Sequence, residues 1–309
     1  MTTITIGTRK SKLAMWQTDL VARSLNSRGI ATEIVSMETK GDKILDREIA
    51  KIGSKGVFTE ELEEQLASGL TDIAVHSAKD MQSLLPNGFE LIAFTKREKS
   101  HDVLVSFDQT ISVDDAQSNI RIGTSSVRRV ALLKHYYPHL EPVPMRGNLQ
   151  TRIQKLKRGD CDALMLAYAG VRRMGYDNLI VHAFPENQFI PPVGQGCIAI
   201  EAAAVLAEEK KQMIRACLNN IESELCLTAE RSYLRTLEGG CSIPAFGYAV
   251  LEEARVSLTA GLANLDGSWV LSKTISGPAT DAVLIGEELG NYILENNGRE
   301  VLAAIKSSQ

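Results

Sequence analysis

The chain has 309 residues, 44% of them hydrophobic and 23% charged, a balance that belongs to folded globular proteins and excludes a disordered one. Its length exceeds what a single hydrophobic core serves well, so two or three domains are expected. No run of eighteen apolar residues offers a membrane-spanning helix, and neither the five cysteines, which lack CxxC spacing, nor the five histidines form a disulfide framework or a metal-binding pattern.

Residues 3–8 (TITIGT) read as a strand, which leaves no basic-then-apolar leader ahead of it; a cytoplasmic protein is expected. Leu13, Trp16, Leu20 and Val21 recur at helical spacing, and ATEIVSME (31–38) reads as a second strand. Residues 41–58 are rich in Gly and Lys with weak periodicity, the pattern of a mobile loop around Lys51 and Lys55. Thr59 is placed to cap a helix that opens with Glu60 and Glu61. DIAVH (72–76) is a short apolar strand. Strands DVLVS (102–106), IRIG (120–123), VPM (143–145) and DALMLA (162–167) then alternate with helical segments. Such alternation predicts parallel or mixed sheets covered by helices. Pro191-Pro192 marks a hinge or crossing, and CIAIEA (197–202) is one more buried strand. After helices at about 206–219 and from 221 on, the runs FGYAVL, RVSLTAGL and WVLSKTIS and a final helical region make a small α+β unit.

The net charge of −4 conceals a basic stretch. From Ile120 to Gly175 there are eleven Lys and Arg against three acids, a local charge of +8, which calls for an anionic partner. The candidate groups gather where strands end: Arg9 and Ser11, then Ser77, Lys79 and Asp80, then Thr124, Ser125, Ser126, Arg128 and Arg129, then Arg146. That edge of an α/β sheet is where ligands bind. In GTSS, Gly123 permits a tight turn and three hydroxyls meet the free N–H groups of a helix start, a pattern for anion binding or for an ordinary cap. Arginines suit bidentate recognition of carboxylates, and crowded without anions they repel one another. Asp80 is the one evident acid beside them; it either pairs with a neighbouring cation or stabilises a developing positive charge. Cys241 follows two glycines, which fits a turned, exposed thiol as well as a buried one.

Eight segments, GTRKSKLAMWQ, the K-x-G-x-KG loop at 51–56, DIAVHSAKD, IGTSSVRR, MRGNLQTR, LAYAGVRR, PVGQG and LEGGCSIP, together resemble the porphobilinogen deaminase family in order and spacing over essentially the whole chain. The resemblance implies two periplasmic-binding-protein-like α/β domains with a cleft between them and a small C-terminal α+β domain. The expected boundaries are 1–95 with 193–217, then 96–192, then 218–309. It implies a dipyrromethane cofactor joined to Cys241 by a thioether, onto which four porphobilinogen molecules are added head to tail with loss of ammonia before hydrolysis releases hydroxymethylbilane. By matching position, Ser11, Ser77, Lys79, Thr124, Ser125, Ser126, Arg128 and Arg129 hold the cofactor. Arg9, Gln17, Arg146, Arg152 and Arg173 bind substrate carboxylates, Asp80 is catalytic, and Lys51 and Lys55 belong to a lid. No metal, no nucleic acid and no membrane partner is expected, and the protein is expected to be a monomer. Four positions depart from the usual pattern: Glu60, Ala78, Gln82 and Ser242.

Three other readings compete. A solute-binding module shares the two-lobed architecture but has no use for a third domain. A cysteine hydrolase acting through Cys241 needs a histidine base, and no strand-end motif supplies one. Nucleic-acid binding could use the +8 stretch but conflicts with the overall acidity and the few aromatics.

Overall fold

The computed structural model describes residues 3–39, 59–115, 119–240 and 242–308. In the first unit β1 (Thr3–Arg9) buries Ile4 and Ile6 completely. Ser11, in extended conformation, caps α1 (Lys12–Asn26) by accepting from the Ala14 N–H at 3.3 Å. β2 (Ala31–Met37) and β3 (Ile73–Ser77) lie parallel to β1 on either side of it. Helix α2 (Glu60–Ala67) starts at Thr59 as expected, but the Thr59 side chain makes no capping bond; its hydroxyl accepts from Gln82 Nε2 at 3.5 Å instead. β4 (Phe89–Phe94) completes the run, a strand the sequence reading passed over.

The chain then crosses into a second unit: β5 (Asp102–Val105), β6 (Arg121–Gly123), α3 (Val127–Tyr136), β7 (Glu141–Val143), α4 (Leu149–Lys157), β8 (Ala163–Ala167), α5 (Tyr168–Arg173) and β9 (Ile180–Ala183). It returns as β10 (Ile198–Ala203) and α6 (Glu208–Leu218). The strand orders are β2-β1-β3-β10-β4 and β7-β6-β8-β5-β9. Both sheets follow one plan: a central strand between two parallel neighbours, with an antiparallel strand inserted before the outermost one. In each case the inserted strand has just crossed from the other unit. The chain thus forms two α/β lobes built to the same plan. The expected VPM strand is displaced towards the N-terminus: β7 pairs through Glu141, Pro142 and Val143, and Met145 is buried in the core beyond it.

A third unit follows. Helix α7 (Ile221–Thr236) and α8 (Ala282–Ile293), with α9 (Arg299–Ser307), pack on the antiparallel sheet of β11 (Ala245–Glu252), β12 (Arg255–Ala263) and β13 (Val270–Pro278). Its core centres on Tyr233, Leu258, Leu262 and Leu289, all fully buried.

All three units meet at one carboxylate. Glu230 of α7 is wholly buried and takes Arg97, on the outgoing crossing, through two bonds of 2.7 and 2.8 Å. It also accepts from the Gly194 N–H, on the returning crossing, and from the Ala249 N–H of β11, both at 2.8 Å. Burial works against the Arg97 charge, and Glu230 more than reverses it, holding the guanidinium above its ordinary value. Close by, Gly196 sits at φ +93°, where a Cβ would lie 2.3 Å from the Glu98 carbonyl oxygen, so the two crossings can touch only with glycine there. Among the described residues no helix is long and apolar enough to cross a membrane.

Candidate functional site

The ends of β1, β3 and β6 and the starts of α3 and α4 converge between the two sheets. At the core of the convergence Asp102, the first residue of β5, is completely buried. It accepts from Arg128 Nη2 at 2.5 Å and from Arg129 Nη2 at 2.7 Å. Each guanidinium also donates from Nη1 to a main-chain carbonyl, Ile190 for Arg128 and Met165 for Arg129. Burial alone would raise the Asp102 carboxyl, but the two guanidiniums overcome it and hold the group well below the usual carboxylate range. One carboxylate therefore fixes two arginines and leaves the group one positive charge in excess.

Lys79, just past β3, meets this group through Gln195 on the returning crossing. Gln195 Oε1 accepts from Lys79 Nζ at 3.2 Å, while its Nε2 donates to Asp102 Oδ1 at 3.0 Å and to the Ser100 carbonyl. Burial and the nearby Arg129 lower the Lys79 ammonium to about 8, with Asp80 opposing them. Arg152, on α4, is lowered to about 10 by burial and by Arg129, with Arg146 adding to the effect and Asp80 again opposing it. Burial is thus the main cause of the lowering at Lys79 and Arg152, and neighbouring arginines add to it, while the exposed carboxylate of Asp80 favours both charges. Such a cleft fits a ligand carrying several negative charges.

The GTSS segment is built differently from the sequence expectation. Gly123 does not need its conformational freedom; a Cβ there would meet Cys161 Sγ and Leu164 Cδ2 at 2.8 Å, so it is glycine for close packing. The three hydroxyls all accept from backbone N–H groups: Thr124 from Ser126 at 3.3 Å, Ser125 from Met145 at 2.9 Å and Ser126, as the cap of α3, from Arg129 at 3.5 Å. Acceptance leaves each hydroxyl hydrogen to donate, the polarity a carboxylate requires.

The family models agree with this architecture. That of the porphobilinogen deaminase dipyrromethane-cofactor-binding domain matches residues 4–212, and that of the porphobilinogen deaminase C-terminal domain matches residues 224–295. The chain belongs to the porphobilinogen deaminase family. A porphobilinogen deaminase of Desulfosudis oleivorans is 57% identical over 306 residues, 99% of both chains. That of Cytophaga hutchinsonii is 52% identical over 306 residues, 98% of this chain and 97% of the other. Among solved structures, the methionine-binding protein MetQ covers 70% of this chain and 89% of its own at 11% identity and TM-score 0.44. The Bordetella pertussis BvgS VFT2 domain covers 74% and 92% at 14% identity and TM-score 0.43.

Of the candidate residues expected from the sequence, Arg9, Ser11, Gln17, Ser77 and Asp80 line one small recess of ≈ 60 Å³ together with Thr59 and His76. Gln17 Nε2 donates to Ser77 Oγ at 2.9 Å, tying α1 to the end of β3. Arg146 and Arg152 frame Gly147, whose carbonyl accepts from Arg152 Nε at 2.8 Å. Arg173 crosses from α5 to donate to the Gly196 carbonyl at 2.7 Å and lies 5.5 Å over the ring of Trp16 on α1. Lys51, Lys55 and Cys241 fall outside the described residues; Gly239 and Gly240, which precede the cysteine, are described. Among the described residues no cluster able to hold a metal occurs.

Sequence reasoning overlooked Asp102, Gln195 and Trp16. Asp102 carried a signal, because a lone acid opening the apolar run DVLV sits where a buried strand begins. Gln195 lay within the quoted PVGQG segment, yet its amide can be seen to join Lys79 to Asp102 only once the sheets are assembled.

Proposed function

We propose that this chain uses Cys241 to hold a dipyrromethane through a thioether and uses the cleft to add four porphobilinogen molecules to it, releasing hydroxymethylbilane in tetrapyrrole biosynthesis. The observation that carries the reading is the convergence of Lys79, Arg129, Arg146 and Arg152, from two sheets, around Asp80. Every pyrrole of the growing chain bears an acetate and a propionate, so each addition brings two negative charges to those cations. The cofactor, when bound, would supply the ring carbon at which the first new carbon–carbon bond forms.

In this reading Arg9, Arg146, Arg152 and Arg173, with Gln17, bind the carboxylates of substrate and lengthening chain. Ser11, Ser77, Lys79, the three GTSS hydroxyls, Arg128 and Arg129 hold the cofactor. When the aminomethyl carbon–nitrogen bond breaks, ammonia leaves with the electron pair and the substrate pyrrole becomes cationic. Asp80, whose carboxylate already favours the charges of Lys79 and Arg152, would stabilise that cation. Lys51 and Lys55 would close over the cleft from the 41–58 segment. Residues 1–95 with 193–217 and residues 96–192 are the two lobes, and 218–309 the cofactor-bearing domain. The reading also has the protein working as a cytoplasmic monomer without a nucleic-acid partner. In support, much of the +8 stretch is turned inward or already paired, Arg121 on Asp162 and Arg158 on Asp160 among them.

Intact-mass spectrometry tests the attachment. The wild-type protein should exceed its sequence mass by two linked pyrroles, and Cys241→Ser should lack the excess; equal masses for the two proteins reject it.

A pH dependence follows from Lys79. Its protonated form is disfavoured in the empty cleft, with a pKa of about 8 against the ordinary ~10.4, and bound carboxylates favour that form again. Binding must therefore take up a proton above pH 8, and affinity falls as pH rises through about 8. In the Cys241→Ser background, the dissociation constant for porphobilinogen should climb between pH 8 and 10 more steeply with Lys79 present than with Lys79→Gln. Parallel profiles would remove Lys79 from carboxylate binding.

A further inference from the structure

A set of contacts from the third unit ties the loop after Asp80 to the turn that precedes Cys241. Past Asp80 the chain runs Met81-Gln82-Ser83, and Met81, with Ala78, is buried in one cluster with Leu227 of α7. One turn further along α7, Arg231 Nη2 donates to the Gln82 carbonyl at 2.7 Å and to the Ser83 carbonyl at 3.3 Å. Ser83 Oγ donates in turn to the Gly239 carbonyl at 2.8 Å, and the Gly239 N–H donates to the Leu234 carbonyl of α7 at 3.0 Å. The circuit closes on itself, from α7 to the 82–83 loop, to Gly239, and back to α7.

The turn at Gly239 is wedged as well as bonded. Glu238 adopts φ +50°, and a Cβ on Gly239 would lie 2.7 Å from Ile243 and 2.8 Å from Leu234. A guanidinium directed at main-chain carbonyls fixes backbone position. Asp80 and Gly239 are far apart in sequence and belong to different units, so packing and these hydrogen bonds set the distance between them.

We propose that Ser83 and Arg231 are positioning residues that hold the Asp80 loop and the Gly239–Gly240 turn as one body, so that a chain tethered at Cys241 reaches the Asp80 carboxylate in a fixed register. The inference rests on the attachment proposed above. A tether whose root can shift by an ångström presents its reacting carbon outside the productive geometry, and reaction rate is acutely sensitive to such a shift.

The test compares Ser83→Ala, Ser83→Thr and Arg231→Met with wild type by steady-state turnover of porphobilinogen and by intact mass. Ser83→Ala should keep the wild-type mass excess and lower kcat about fivefold to tenfold, the worth of one hydrogen bond, with little change in KM. Ser83→Thr, which retains the hydroxyl, should restore kcat. Arg231→Met should lower kcat further, and the double variant should fall no lower than Arg231→Met, because Ser83 is registered only while Arg231 holds its carbonyl. Wild-type kcat in Ser83→Ala, a raised KM at unchanged kcat, or failure of Ser83→Thr to rescue would each overturn the clasp alone. A wild-type protein without the two-pyrrole excess would instead remove the attachment, and the inference with it.

Discussion

Asp80→Ala is expected to fold normally and to turn over roughly a thousandfold more slowly, with KM unchanged or lower. A carboxylate ~4 Å from a unit positive charge at an effective dielectric of ~20 contributes about 4 kcal/mol, which is about three factors of ten in rate. The side chain is exposed, and the buried cluster at this strand end uses Ala78 and Met81 on either side of it, so the fold loses little. The direction of KM separates this role from a structural one. Asp80 partly offsets the repulsion at Lys79 and Arg152, so removing it leaves the cleft more positive toward substrate carboxylates. A disordered cleft would raise KM instead. Measuring kcat and KM for ammonia release decides between them, and near-normal kcat in Asp80→Ala rejects the assigned role. Asp80→Asn, which keeps the shape and loses the charge, should be nearly as slow.

Much of this was legible in the sequence because the signals were local. A strand followed within a few residues by a hydroxyl and an arginine places those side chains at a sheet edge whatever the partners of the strand, and Ser11 and Ser126 both cap the helices that follow them. The three closing runs appear as β11, β12 and β13 because each carries its own alternation. What was missed depends on partners distant in the chain. β4 and β9 are short outer strands whose pairing depends on β10 and β5, strands that arrive from the other unit. The arginine pair looked as though it required a ligand for neutralisation; Asp102 supplies half of that charge from within the protein. The excess that the sequence did foresee lies with Lys79, Arg146 and Arg152, which surround the pair without a buried acid of their own in the contacts described. Gly123 shows the opposite lesson: the residue type was informative, but for packing against Cys161 and Leu164 rather than for a turn.

The Glu230→Ala variant should lose about 3–5 kcal/mol of stability, most of the margin of an ordinary protein, because it leaves a nearly buried guanidinium without its partner. The Arg97 side chain is 13% exposed and that of Glu230 is 0% exposed, so water cannot easily take the place of the lost carboxylate. The loss is not confined to the ion pair. The Gly194 and Ala249 N–H groups also lose their acceptor, and each belongs to a different structural unit. Arg97→Met should therefore cost less than Glu230→Ala, since the carboxylate it leaves behind still accepts two backbone hydrogen bonds. For a chain of this size the melting temperature of Glu230→Ala should fall by roughly 10 °C. The two crossings and the third unit are joined at this one group, so the variant should also lose cleft geometry before it unfolds, and its activity should decline at temperatures below its own melting point. Thermal melts followed beside turnover measure both effects. A Glu230→Ala protein that melts within a degree or two of wild type would show that the three units are held together elsewhere.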